Sequence, residues 1–318
     1  MVGSHRRLGR TGLMVAVREP ESTDAAAEAS VATPEFEARN EAQQRRRGLF
    51  MALPAYGYLL LFFALPLVIV TVYSFATRNR FGGTDLSGWN IESYRKLGDP
   101  LVRDILARSL WLAVLTTVIC LVIAYPFAYY MATRNATVRN LMLLFVMIPF
   151  WTNFLVRNYA WRVILGTDGP LSQVTEAVGI GETRLLFTQA AVVLGLVYGF
   201  LPFMILPLYA SIERIDGRLL EASRDLYANG AQSFRHVLLP LSMPGVIAGS
   251  ILVFIPSLGA YVTPEVLGGA KTTLLGSYIV TQFLTARNWP FGAALSFVLM
   301  AVMLTATMVY FRKGGRTL

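Results

Sequence analysis

The sequence predicts an all-α, polytopic membrane protein with six transmembrane helices, and three observations support this fold class. Hydrophobic residues make up 55% of the 318 residues, and the mean hydropathy is +0.52, well above the range of ordinary soluble domains. Several apolar runs reach the roughly 20 residues that a helix needs to cross a bilayer. Proline and glycine recur within these runs, as is common in membrane helices that pack around one another.

The chain divides into a polar tail and a transmembrane domain. Residues 1–44 are polar and poor in aromatic side chains, so we expect a disordered cytoplasmic tail there. Residues 45–318 form the predicted six-helix domain. Its spans are expected at residues 49–77, 109–133, 141–165, 188–212, 242–264 and 291–311.

The charge pattern predicts that both termini are cytoplasmic. Three arginines at positions 45–47 directly precede the first span, which favours a cytoplasmic N-terminus. An even number of spans then returns the C-terminus to the same side. The remaining basic residues agree with this orientation only weakly, because arginines also occur in the predicted outer loops.

Residue usage argues against several classes of function. The one cysteine, Cys120, lies in an apolar run, so neither an intramolecular disulfide nor a metal cluster is expected. The two histidines, His5 and His236, belong to no nucleophile constellation, and no catalytic residue, metal or cofactor is predicted. The net charge of +9 is scattered at the ends of the spans, which indicates membrane topology rather than nucleic-acid binding.

A long polar segment, residues 213–241, separates the fourth and fifth spans, and we call it the polar loop. Asp216 is placed to cap a helix, and Gly230 is predicted to end that helix. At helical spacing, one face carries the apolar or small residues Leu219, Leu220, Ser223, Leu226 and Tyr227.

The charges of this helix distinguish two environments. A helix lying in the lipid headgroup layer is usually rich in lysine and arginine on its polar face. Here Glu221 and Asp225 balance the arginines, which favours a protein partner over membrane lipid alone.

The polar loop resembles the EAA loop of the permease subunits of ATP-binding-cassette (ABC) importers. In "EASRDLYANGAQSFRHVLLP" the acidic start and the hydrophobic-x-Leu-Pro end have the family's spacing, and Tyr227 stands where the family usually has glycine. The segments "IPFWTNFLVRNYAWRVIL", "LPLSMPGVIAG" and "NWPFGAALSF" are similar to those of spermidine/putrescine-type permeases, and this resemblance covers nearly all of the chain after residue 49.

The resemblance implies partners and a mechanism. The polar loop would be the coupling helix that docks on a cytoplasmic ABC ATPase, with Glu221 as the leading contact. A second homologous permease subunit and an extracytoplasmic binding protein would complete a bacterial inner-membrane importer that works by alternating access. The contacts expected with the ATPase are Glu221, Ala222, Ser223, Arg224, Asp225, Leu226, Tyr227 and Gly230.

The chain itself is not expected to hydrolyse ATP. "GGAKTT" at residues 268–273 looks like part of a phosphate-binding loop, but Glu265 falls where the first glycine of that motif belongs. Alanine also replaces the motif's second glycine. ATP hydrolysis would therefore belong to the partner ATPase.

A small cationic substrate would need a carboxylate with aromatic neighbours. Tyr261 and Glu265, four residues apart after the fifth span, have the chemistry for ionic hydrogen bonds and cation–π attraction. Trp151 and Asn153 are expected to line the same passage. The alternative is that the aromatic residues anchor the helices at the membrane interface and that Glu265 is a solvated loop carboxylate.

Two other functions remain open. Related permeases share the loop and carry other solutes, such as an opine, thiamine or iron. An ion-coupled secondary transporter is a separate class, but it predicts buried carboxylates or histidines and inverted repeats, and neither feature is evident in the sequence.

Overall fold

The computed structural model describes residues 34–79, 83–86, 88–177 and 184–314. The chain divides into two units, Met1–Pro66 and Leu67–Leu318. Helix α1, Pro34–Ser74, includes residues 34–44, which were predicted to belong to the tail. The expected disorder of residues 34–44 is therefore corrected to helix, and residues 1–33 lie outside the described residues.

Helices dominate the rest of the described chain. The membrane-length helices are α3 Pro100–Ala132, α7 Gln189–Ile212, α10 Leu239–Leu258 and α12 Trp289–Gly314. The shorter elements are the antiparallel strands β1 Thr77–Arg78 and β2 Thr84–Asp85, and helices α2 Glu92–Lys96, α4 Ala136–Trp151, α5 Phe154–Ile164, α6 Pro170–Ala177, α8 Gly217–Asp225, α9 Gly230–Ser233 and α11 Leu275–Leu284.

The third predicted span is broken, which corrects the continuous helix expected over residues 141–165. Helices α4 and α5 meet at an angle of 90°, and Thr152 between them is extended. Pro149 lies in the last turn of α4, and the Asn153 side chain starts a new helix by accepting hydrogen bonds from the main-chain N–H groups of Leu155 and Val156. Within the described residues, five helices are long and apolar enough to span a membrane, or six if this bent pair counts as one span.

The fifth span is displaced toward the N-terminus relative to its prediction at residues 242–264. Helix α9 continues through one π-helical segment, Phe234–Leu238, into α10, so the helical stretch Gly230–Leu258 runs without a break. Gly259 ends it, and a second π-helical segment, Pro264–Gly268, follows. Pro240 closely follows the first π-helical segment, where the regular i→i−4 hydrogen-bond ladder is already interrupted.

The core of the second unit is formed by α3, α7 and α10. Buried residues of the three helices pack together near the end that carries the polar loop, which we call the loop end; examples are Met131, Met204 and Val253. Glycines permit a close approach of α10 to α7, because a methyl group on Gly245 would lie 2.7 Å from the carbonyl oxygen of Pro207. The helices before and after the polar loop therefore approach closely at Gly245, where the backbone of α7 leaves no room for a larger side chain.

The opposite end of this unit, the far end, is closed by α11. The sequence around Leu274 supplies no side-chain cap for this helix. Instead, the hydroxyl of Ser109 on α3 accepts a 2.8 Å hydrogen bond from the Leu275 N–H and donates to the Ile105 carbonyl at 2.7 Å. Ser109 is fully buried, so a side chain distant in sequence fixes the start of α11.

We expect Ser109→Ala to lower the free energy of unfolding by about 1–2 kcal/mol, because the Leu275 N–H would remain buried without its acceptor. The measurement is denaturant unfolding of the purified protein in detergent. Ser250→Ala is the control, since the Ser250 hydroxyl donates to the Val246 carbonyl of its own helix. That variant should change stability by less than about 0.5 kcal/mol, and equal losses in the two variants would contradict the capping role.

Candidate functional site

The polar loop folds into a short amphipathic helix, as predicted, and Asp216 caps it. Helix α8 begins at Gly217, and the Asp216 carboxylate accepts a 3.0 Å hydrogen bond from the Arg218 N–H. An acidic cap also interacts favourably with the positive end of the helix dipole. The start of the loop is held to the bundle by a 2.8 Å ion pair between Glu213 and Arg139 of α4.

The helix ends earlier than predicted. It was expected to reach Gly230, but its last residue is Asp225, and Tyr227 adopts a left-handed conformation with φ of +61°. The Tyr227 N–H bonds to the Arg224 carbonyl at 2.8 Å, and the Ala228 N–H bonds to the Ser223 carbonyl at 3.1 Å. These two bonds form a Schellman motif, in which glycine normally takes the position that Tyr227 occupies.

Gly230 begins the next helix instead of ending this one. The Asn229 side chain accepts from the Gln232 N–H, and the Gln232 side chain accepts from the Asn229 N–H, both at 2.9 Å. This reciprocal capping box leaves only residues 226–229 between α8 and α9. The sequence prediction overlooked it, although an asparagine followed three residues later by glutamine is a recognisable signal.

A buried hydroxyl pair joins the two helices of the loop. Ser223 of α8 and Ser233 of α9 are both buried, and their Oγ atoms lie 2.8 Å apart. Ser223 replaces the second alanine of the EAA pattern, so this bond depends on the local departure from that pattern. Ser233 continues directly into the helix that contains α10, so the hydroxyl pair connects α8 to that span.

The exposed surface of α8 differs from the face predicted by helical spacing. Leu220 and Ser223 face inward, as expected, but Leu219 of the same predicted face is 47% exposed. Leu226 and Tyr227 lie beyond the helix end and are 81% and 97% exposed. The other predicted contact residues that face solvent are Glu221, Ala222, Arg224, Asp225 and Gly230. The loop therefore presents mixed charges next to two large apolar side chains.

Contacts from α3 hold the other side of the loop. The hydroxyl of Tyr125 lies 2.7 Å from that of Ser242, and its ring packs edge-on against Phe234 with centroids 5.2 Å apart. A cavity of about 600 Å³ lies between α3, Leu220 and Arg224 of α8, and the start of α10. The loop is therefore fixed at discrete points rather than packed along its whole length.

The predicted substrate residues lie toward the far end. Tyr261 and Glu265 share one helical turn, since the Glu265 N–H bonds to the Tyr261 carbonyl at 3.1 Å, and both side chains are exposed. The hydroxyl of Ser277 on α11 also donates to the Tyr261 carbonyl, at 3.1 Å. The backbone that carries these two residues is thus anchored, while their side chains remain free to contact solutes.

Trp151 and Asn153 flank the 90° break between α4 and α5. Trp151 is 77% exposed, and the Asn153 side chain is used as the helix cap described above. The end of α5 packs on the turn that bears Glu265 through a cluster that includes Leu165, Val266 and Leu267. Tyr261 and Glu265 thus lie beside the C-terminal end of α5, whereas Trp151 and Asn153 lie before its N-terminal end, and Asn153 has a structural task that its sequence position did not reveal.

Solved transporter structures share this architecture. The chain superposes on a bacterial ABC transporter for alginate in complex with its pentasaccharide-bound periplasmic protein, with a TM-score of 0.70, 14% identity, and 87% of this chain and 96% of that chain covered. An inward-facing methionine ABC transporter, MetNI, gives a TM-score of 0.53 at 21% identity, with 70% of this chain and 98% of that chain covered. The fold is that of an ABC transporter membrane subunit.

Sequence comparison then identifies the family. Residues 124–313 match the family described as "Binding-protein-dependent transport system inner membrane component", and the chain belongs to this family. It is therefore a multi-pass inner-membrane permease of an ABC transport system, whose ATPase and binding protein are separate components.

Three relatives illustrate the level of similarity. The spermidine/putrescine transport system permease protein PotB of Escherichia coli is 43% identical over 82% of this chain and 96% of its own length. PotB of Haemophilus influenzae is 44% identical over 81% of this chain and 90% of its own length. The E. coli inner membrane ABC transporter permease protein YdcU is 33% identical over 70% of this chain and 75% of its own length.

Proposed function

We propose that this chain is a permease subunit of an ATP-driven polyamine importer, with spermidine or putrescine as its substrate. The observation that carries the proposal is the polar loop: a capped, solvent-facing helix joined through Ser223 and Ser233 to the following span. The similarity to PotB over nearly the whole transmembrane region supports the substrate class.

The proposal includes an orientation and a set of partners. The polar loop faces the cytoplasm and binds an ABC ATPase subunit, so both termini are cytoplasmic and Glu265 lies toward the outside. A second homologous permease completes the pathway, and an extracytoplasmic binding protein delivers the substrate. This arrangement agrees with the three arginines at positions 45–47 before the first span.

The mechanism follows from how the loop is attached. Closure of the ATPase subunits on ATP moves α8, and the Schellman turn, the capping box and the hydroxyl pair transmit that movement to the helix beginning at Gly230. Since α10 packs tightly on α7 around Gly245, both spans next to the loop move together. Alternation between inward and outward states then exposes the far end to the binding protein.

Uptake measurements test this function against the open alternatives. A strain lacking the chain is expected to lose ATP-dependent uptake of labelled spermidine or putrescine, and the chain supplied in trans should restore it. Restored uptake of an opine, thiamine or iron instead would leave the permease role intact and replace the substrate. Uptake that persists without the ATPase and follows an ion gradient would contradict the ABC mechanism.

We further propose that Glu265 and Tyr261 contact the cationic substrate near the outer mouth, with Trp151 beside the same passage. Both Tyr261 and Glu265 are exposed, and their common turn is anchored through Ser277. A carboxylate beside aromatic rings offers an ammonium group ionic hydrogen bonds and cation–π attraction.

Glu265→Gln is expected to reduce polyamine uptake about tenfold, because a hydrogen bond to a charged group contributes about 1.5 kcal/mol or more. The measurement is initial-rate uptake by the assembled transporter. ATPase binding and basal ATP hydrolysis should stay unchanged, since the polar loop lies at the opposite end.

Glu92→Gln provides the matched control for this substitution. Glu92 is exposed on α2 and bonds to Lys96 at 2.7 Å, which lowers the pKa of the Glu92 carboxyl. Replacing the Glu92 carboxylate with an amide should leave polyamine uptake unaltered. Unchanged uptake by the Glu265 variant, or equal losses in both variants, would remove Glu265 from the pathway.

A further inference from the structure

The four-residue connection between α8 and α9 exposes two large apolar side chains. Leu226 and Tyr227, which we call the anchor pair, are 81% and 97% exposed. Tyr227 is also one of three non-glycine residues with positive φ among those described, together with Phe187 and Arg287. Two adjacent exposed apolar side chains beside charged residues are a candidate contact for a partner.

The Tyr227 side chain does not support its own backbone. Both hydrogen bonds of the Schellman turn use main-chain groups, so glycine would form them equally well and without the steric cost of a left-handed conformation. Phe187 differs in this respect, because its ring lies near the Arg162 guanidinium and its N–H bonds to the Leu267 carbonyl. A strained residue whose side chain gains nothing from the surrounding chain indicates a role outside it.

The main chain on both sides of the anchor pair is fixed by hydrogen bonds. The Schellman turn fixes it on the α8 side, and the capping box of Asn229 and Gln232 fixes it on the α9 side. The backbone under the two side chains is therefore ordered before a partner arrives, which lowers the entropic cost of binding.

We propose that Leu226 and Tyr227 form an apolar anchor that inserts into a pocket of the ATPase subunit and contributes much of the binding affinity. This inference rests on the proposed docking of the polar loop and adds the residues that give the contact its affinity, including a tyrosine where the family usually has glycine. A protein pocket fits better than lipid, because Glu221 and Asp225 balance the arginines of α8 and leave no excess of positive charge to attract anionic headgroups. Tyrosine combines a rigid ring with a hydroxyl that can bond at a pocket rim, as at many interface hot spots.

The test measures binding of the purified cognate ATPase to the full-length permease complex in lipid nanodiscs. Tyr227→Gly is expected to weaken binding about 30-fold, the size of a hot-spot truncation. Thermal stability of the permease should rise or stay level, because the left-handed strain is relieved. Tyr227→Phe should retain most of the affinity, since it keeps the ring.

Arg287→Gly is the matched control, because it relieves a φ of +49° in the loop after α11, at the far end. It should change stability in the same direction as Tyr227→Gly and leave ATPase affinity unaltered. If wild-type complexes bind the ATPase and Tyr227→Gly binds equally well, the anchor is overturned while the proposed function stands. If the wild type does not bind the ATPase at all, both proposals are overturned.

Discussion

Reversing the charge of Glu221 is expected to reduce ATP-dependent uptake about a hundredfold while the permease remains folded. Glu221 is exposed on α8, so lysine is accommodated without disturbing the core. In the proposed complex its carboxylate meets the ATPase at the centre of the docking surface, where a wrong charge becomes desolvated and unpaired. Losing one partner of such a pair costs about 2–5 kcal/mol.

The measurement combines uptake with the amount of ATPase that remains on purified membranes. Glu221→Lys should lose both the ATP-dependent uptake and the bound ATPase. The thermal unfolding temperature of the permease should be unchanged. Glu176→Lys is the control, since Glu176 is an exposed carboxylate on α6, away from the polar loop. Retention of the ATPase by the Glu221 variant would show that the surface does not dock there.

Much of the membrane architecture could be predicted from the sequence, because apolar length is almost the whole signal for a span. Asp216 was also predicted correctly as a cap, since capping depends on residues two or three positions away. The 90° break at Thr152 and Asn153 was not, because the prediction joined the apolar residues on both sides of these two polar residues into one span. Hydropathy records which residues avoid water and carries no information about the direction of the chain.

The end of α8 shows a second limit of sequence reasoning. Glycine is the usual left-handed residue at a helix end, so Gly230 was the natural choice. The capping box formed by Asn229 and Gln232 instead commits Gly230 to the next helix, and the turn must occur at Tyr227. Both local motifs form within this short segment, with the Schellman turn at Tyr227 and the capping box starting at Asn229.

Contacts between distant residues could not be predicted at all. The hydroxyl pair of Ser223 and Ser233, the cap that Ser109 gives to α11, and the proximity of α5 to the Glu265 turn depend on how helices pack. Each involves small or weakly polar side chains that have no distinctive pattern in the sequence. The sequence therefore predicted a helix in the polar loop, while the side-chain contacts within the loop required the structure.

Gly245→Ala is expected to lower the free energy of unfolding by about 3 kcal/mol and to abolish uptake. The added methyl group would lie 2.7 Å from the Pro207 carbonyl oxygen and 3.1 Å from the Leu208 Cα, so α7 or α10 must shift. These are backbone atoms of a packed helix and cannot turn aside as a flexible side chain would. Separation of the two helices also disconnects the spans on either side of the polar loop.

Gly199→Ala tests whether this effect comes from the close approach or from loss of glycine itself. Gly199 is buried in α7, but a methyl group there would meet nothing within 4 Å. Alanine should therefore be neutral or stabilising by about 0.5 kcal/mol, because it reduces the entropy of the unfolded chain. Unfolding in detergent and uptake in membranes should separate the two variants clearly. If Gly245→Ala keeps normal uptake, the polar loop drives the spans without the tight α7–α10 contact, and transmission through Gly245 is wrong.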